Sequence, residues 1–78
     1  MTIDAHDVLE LVRTQLGAAT VRPDSRFLED LDAESADVLN IVAAAEDRWG
    51  ITIDEEEMAN LTTVGDLLEL VRRRADGV

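Results

Sequence analysis

Two stretches of the chain carry apolar residues at the spacing of a helix face, and each stops at a glycine. Val8, Leu9, Val12 and Leu16 precede Gly17, and Val38, Ile41, Val42, Ala45 and Trp49 precede Gly50. Residues at i, i+3 and i+4 line one side of a helix, and a glycine supplies the left-handed backbone that commonly closes one. The first stretch predicts an amphipathic helix over residues 4–16, with Asp4 and Asp7 where the helix dipole favours negative charge. The second predicts a helix of about four turns. Its three consecutive alanines, Ala43, Ala44 and Ala45, suit close packing on one side.

Between these helices the periodicity disappears over residues 18–33. Pro23 and Asp24 read as turn chemistry, and Val21, Phe27, Leu28 and Leu31 remain as apolar anchors. A connection this long is uncommon in a small domain and is usually functional when it occurs, which draws attention to its far end. Ser35 stands there, among acids. After Gly50, the segment "ITI" is too short for a sheet and has no partner strand in the sequence, so it predicts an extended connector burying one or both isoleucines. Asp54 caps a short third helix with Met58 and Leu61 turned inward. Thr63 and Asp66 have capping-box spacing ahead of a last helix, whose apolar face is Val64, Leu67, Leu68 and Val71 and whose end carries Arg72, Arg73 and Arg74. The prediction is an all-α fold in one domain spanning residues 1–78, a length that supports one small core. With one Trp, one Phe and no Tyr in a chain that is 46% hydrophobic, that core is aliphatic.

Eighteen acids against seven bases give a net charge of -11. Such a surface repels nucleic acid and anionic membranes and attracts basic protein patches, so the expected partners are proteins. The acids punctuate every segment, as expected of a folded acidic domain and not of a disordered tail. The absence of Cys excludes disulfides, thiolate metal sites and a cysteine nucleophile. The N-terminus "MTIDAHDVLE" lacks the basic start and apolar run of a signal peptide, and no stretch approaches the roughly 20 apolar residues of a membrane span. A cytoplasmic protein is expected.

Several constellations have ordinary explanations. Asp30, Asp32 and Glu34 begin like a calcium loop, but the sixth and twelfth positions, which need Gly and a bidentate Glu, are Ser35 and Ile41. His6, the sole histidine, is read as solvated. Ser35 has neither a nearby histidine nor a G-x-S-x-G elbow, so hydrolysis by this chain is not expected, and no metal or catalytic residue is assigned. Taken alone, Ser35 is a helix N-cap whose hydroxyl accepts a backbone N–H. Trp49 belongs to the apolar stripe, and the acids of residues 54–57 to a solvated helix start.

Residues 27–64, "FLEDLDAESADVLNIVAAAEDRWGITIDEEEMANLTTV", resemble an acyl carrier protein. The central segment of that family reads F-x-E-D-L-G-x-D-S-L, then an apolar helix, E-E-x-F-x-x-x-I-x-D-E-E and T-V before the last helix. The match runs without a gap and, with the first and last helices, covers nearly the whole chain. The resemblance implies a small four-helix bundle, three principal helices and one short one, with the long loop between helices 1 and 2. It implies that Ser35 carries covalent 4'-phosphopantetheine, that acyl groups ride on its thiol as thioesters, and that the chain is a carrier and not an enzyme. It implies docking through Glu34, Ala36, Asp37, Leu39, Asn40, Glu46 and Asp47 onto basic patches of partners. Those partners are a phosphopantetheinyl transferase and acyl-processing enzymes such as an acyltransferase, an acyl-activating ligase or a ketosynthase, with the carrier itself a monomer.

The sequence departs from the family pattern at several points. Glu34 stands for Asp, Ala36 for Leu or Ile, Asp32 for Gly, Asn40 for an acid and Trp49 for Phe, while Arg48 lowers the negative density of the second helix. Ala36 thins the apolar ledge beside the attachment point. These departures favour a discrete carrier of polyketide or other natural-product assembly. A housekeeping fatty-acid carrier, an aminoacyl or peptidyl carrier, and an unmodified acidic interaction module stay open as alternatives.

Overall fold

Each helix starts where an acid or a threonine meets the first turn, and the computed structural model, which describes residues 2–76, has four of them: α1 (Ala5–Leu16), α2 (Ser35–Trp49), α3 (Glu55–Ala59) and α4 (Val64–Ala75). Asp4 caps α1, its carboxylate accepting the His6 N–H at 2.9 Å. Gly17 and Gly50 close α1 and α2 at φ 65° and 63°, left-handed conformations in which a side chain would be strained. Thr63 and Asp66 form the expected capping box: the Thr63 hydroxyl accepts the Asp66 N–H, and Asp66 Oδ2 accepts the Thr63 N–H.

Helices α1, α2 and α4 pack on one another around an aliphatic core, and α3 packs less closely on any of them. Val8 and Val12 of α1, Ile41, Val42 and Ala45 of α2, and Val64, Leu67, Leu70 and Val71 of α4 are buried. Of the three alanines, Ala45 faces the core while Ala43 is exposed. Leu68, expected on the apolar face of α4, is half-buried, and Leu70 is buried instead. Ile3 is also buried: it precedes the α1 cap, where an apolar side chain staples the incoming chain onto the same core as Val8. Trp49 is half-buried against the core, with the Arg48 guanidinium 5.1 Å from its ring centroid. Arg48 also pairs with Asp7 at 3.7 Å, tying the end of α2 to the start of α1.

The loop between α1 and α2 is held at both its middle and its end. Phe27 is 1% exposed and anchors it, a burial that contributes about 1.5–3 kcal/mol. Three backbone hydrogen bonds clamp it to the start of α4: Phe27 N–H to the Thr62 carbonyl at 3.0 Å, Val64 N–H to Ser25 at 2.9 Å and Gly65 N–H to Pro23 at 2.7 Å. An isolated bridge between Arg26 and Thr63 marks this clamp, and among the described residues there is no strand. Leu28 departs from expectation. Its neighbour Phe27 takes the inward position, and Leu28 is 59% exposed. In the connector, Ile53 is buried and Ile51 half-buried. Among the described residues no helix is long and apolar enough to cross a membrane.

Candidate functional site

The start of α2 corrects the reading of Ser35 as a cap. Glu34 is the N-cap, with extended backbone at φ -93° and ψ 168°, and Ser35 is the first residue inside the helix. The Asp37 carboxylate accepts the Glu34 N–H at 2.9 Å. The physical reason is the spacing: an acid at position 34 and another three residues on repeat the Thr63–Asp66 arrangement, so the cap belongs one residue before the serine. The pair Glu34 and Asp37 is the sequence signal that would have found it. As a result Ser35 is exposed, and no side-chain hydrogen bond among the described residues uses its hydroxyl.

Behind this helix start the chain makes a tight approach. Arg26 organises it: its carbonyl accepts the N–H groups of Asp30 and Leu31, and its own N–H donates to the Asp30 carboxylate at 2.9 Å. That N–H, and then the Arg26 guanidinium, hold the Asp30 carboxyl below its ordinary pKa. Arg26 also pairs with Glu29. Asp32 follows at φ 55°, the left-handed region. Acyl carrier proteins usually carry Gly at this point of the segment, and the backbone supplies the reason: the position needs a positive φ, which Asp tolerates better than most residues. Ala33, buried, then leads into the cap.

Ser35 borders an apolar groove of about 410 Å³. One wall is Val38 and Leu39 of α2, the other Met58 and Ala59 of α3, with Leu61 beyond them and Phe27 and Leu28 from the loop. Leu28 and Leu39, the large exposed apolar side chains among the described residues at 59% and 52%, both line it. Glu55 is the charged residue on its rim.

The other residues singled out in the sequence divide into free and engaged. Glu34, Ala36, Leu39, Asn40 and Asp47 are exposed on or beside α2. Asp37 is half-buried and holds the cap. Glu46 is half-buried, and its Oε2 accepts the Ile53 N–H at 2.8 Å, so this acid holds the connector to α3. His6 is exposed at the start of α1. Among the described residues no group of three or more acids or histidines is arranged to hold a metal ion.

An anion at Ser35 would meet two opposing effects. The positive end of α2 favours an anion there by about 0.3–1 kcal/mol. A like charge at about 4 Å in water opposes it by about 1 kcal/mol, and Glu34 and Asp37 flank the site. With two acids beside the site the repulsion is at least as large as the attraction, so this helix start does not capture a free phosphate.

Comparison with known proteins agrees with the geometry. The profile of the family described as "phosphopantetheine attachment site" matches residues 6–71. An acyl carrier protein of Arthrobacter sp. (strain FB24) is 42% identical over 64 residues, 80% of this chain and 79% of that one. That of Myxococcus xanthus is 41% identical over 58 residues, covering 74% and 73%. The crystal structure of the acyl carrier protein from Thermotoga maritima superposes with a TM-score of 0.78 at 27% identity, covering 91% of this chain and 85% of that one.

Proposed function

The chain belongs to the acyl carrier protein family, whose members are non-enzymatic carriers with covalently attached 4'-phosphopantetheine, and on that premise we propose that Ser35 is its attachment residue. The observation that carries the proposal is the division of labour at the start of α2: Glu34 and Asp37 make the cap, and the Ser35 hydroxyl stays exposed and, among the described residues, unbonded. The arm supplies a thiol on which an acyl group travels as a thioester. The chain has no cysteine to compete for that group. Its own residues fix the origin of the arm on a 15-residue helix and offer an apolar groove beside it.

The docking surface we propose is the exposed face of α2 around Ser35. Leu39 and Ala36 supply its apolar part, and Glu34, Asp37 and Asp47, with Asn40 among them, supply its polar part. Glu46 contributes charge, while one of its oxygens is held by the Ile53 N–H. Acids of this kind steer encounter with basic enzyme patches and allow rapid release, as a shuttle between a phosphopantetheinyl transferase and acyl-processing enzymes requires. The small Ala36 and the polar Asn40 support a carrier that serves a specialised set of partner enzymes. Its pathway is polyketide or other natural-product assembly in preference to housekeeping fatty-acid synthesis.

Intact mass spectrometry after incubation with a phosphopantetheinyl transferase, magnesium and coenzyme A tests the attachment. The expected result is one added phosphopantetheine on the wild type and none on Ser35→Ala. Addition to Ser35→Ala, or none to the folded wild type with several transferases, overturns it. The mass on the arm of protein isolated from its host distinguishes a ketide from an aminoacyl cargo.

A further inference from the structure

Helix α3 forms one wall of the groove beside Ser35, yet it has the weakest packing of the four helices. It is five residues long and buries none of them fully; Met58 and, just past its end, Leu61 are only half-buried against the core. Polar contacts supply much of its attachment. At the connector, Glu46 accepts the Ile53 N–H. At the far side, a single carboxylate oxygen, Glu57 Oε1, accepts both the Asp54 N–H at 3.1 Å and a guanidinium N–H of Arg74. The same Arg74 nitrogen lies 3.6 Å from Asp54 Oδ2. One cation at the end of α4 thus holds both the capping residue of α3 and the side chain that completes the cap.

The surrounding charges make this hold specific to Arg74. Arg13, Arg26 and Arg48 are committed to Glu10, to Glu29 and Asp30, and to Asp7. Arg72 donates to the Ile3 carbonyl at 3.3 Å, and Arg73 lies near Glu57 without an ion pair among the described residues. Without Arg74, Glu55, Glu56 and Glu57 would stand as three adjacent acids with no cation among the described residues bonded to any of them.

We propose that Arg74 is a positioning residue that latches α3 against the end of α4 and thereby sets how open the groove beside Ser35 stands. The use of that groove for an acyl arm rests on the carrier reading; the latch itself is a property of the unmodified chain. Opening means that α3 unwinds with the Arg74 contacts broken, releasing Met58 and Leu61 from the wall of the groove. The free energy involved is small because the pairs are partly exposed, which suits a wall that must yield and return.

Residue-resolved amide hydrogen exchange on the full unmodified chain tests the latch. The reporters are the Met58 and Leu61 N–H groups, which bond to the Asp54 and Met58 carbonyls. In Arg74→Ala they are expected to exchange about 3–10-fold faster, with at least half of the effect restored in Arg74→Lys. In the wild type, raising the salt concentration to about 1 M is expected to speed the same amides, and to do so far less in Arg74→Ala. The proposal is overturned if those amides are unchanged while the slowest amides of α1 accelerate, because the ion pairs would then persist when the groove opens. It is equally overturned if neither set responds. Failure of Ser35 to accept phosphopantetheine would leave this exchange result untouched, so the two readings fail separately.

Discussion

Helices α2 and α4 begin with the same chemical device in opposite surroundings. At α4 every early group is used. Thr63 and Asp66 bond reciprocally, Asp66 Oδ2 also accepts the Thr62 N–H, and the next two N–H groups, of Val64 and Gly65, go to the Ser25 and Pro23 carbonyls of the loop. At α2 the Asp37 carboxylate bonds the Glu34 N–H and Ser35 is left exposed. One helix start is a structural joint and the other is a surface. The difference comes from what lies in front of each: α4 faces a loop whose carbonyls need partners, and α2 faces solvent and an apolar groove.

This contrast predicts a graded series of stabilities measured by urea denaturation. Gly65→Val is the largest, because a Cβ at position 65 would sit 2.9 Å from the Pro23 carbonyl oxygen and the backbone clamp would have to shift. The expected loss is about 2–3 kcal/mol, and a loss below about 0.5 kcal/mol would mean that the loop moves freely on α4. Asp66→Ala comes next, at about 1–2 kcal/mol, since it orphans the N–H groups of Thr62 and Thr63.

Asp66 also makes stability depend on pH. Hydrogen bonds from the Thr63 and then the Thr62 backbone hold its carboxyl below the ordinary 3.8. A depressed folded pKa contributes stability that is fully present above the unfolded value and is lost as pH falls below 3.8 through the folded value. Asp66→Asn should therefore flatten the stability profile below that pH, and an unchanged slope there would remove Asp66 from the account.

Asp37→Ala, which loses a single bond at an exposed cap, should cost about 0.5–1 kcal/mol, less than its counterpart at α4. Ser35→Ala closes the series. With the cap on Glu34, its removal should change stability by less than about 0.5 kcal/mol, against the loss of about 1 kcal/mol expected were the serine itself the cap. Together with the mass measurement, that outcome would make Ser35 dispensable for the fold and indispensable for attachment.

The periodic parts of the molecule were legible in the linear order. The end of α1 at Gly17, that of α2 at Gly50, and the Thr63–Asp66 box at the start of α4 all stand where apolar spacing and capping chemistry put them. The loop was less so. Phe27 and Leu28 are both apolar neighbours, and nothing in their order says that one is fully buried and the other forms the rim of a groove. Glu46 looked like one more surface acid, and it holds an N–H seven residues away.

Ser35 marks the boundary between the two kinds of knowledge. Helical periodicity, the acids three residues apart and the family resemblance are local or linear properties, because each depends on spacings along one strand of chain, and they suffice for four helices and for a serine at a helix start. The shape of the groove, the exposure of Leu28 and the hold of Arg74 on α3 depend on residues 17 or more positions apart being brought together by packing. Burial and ion pairing are decided by three-dimensional neighbours, and only the tertiary structure supplies those.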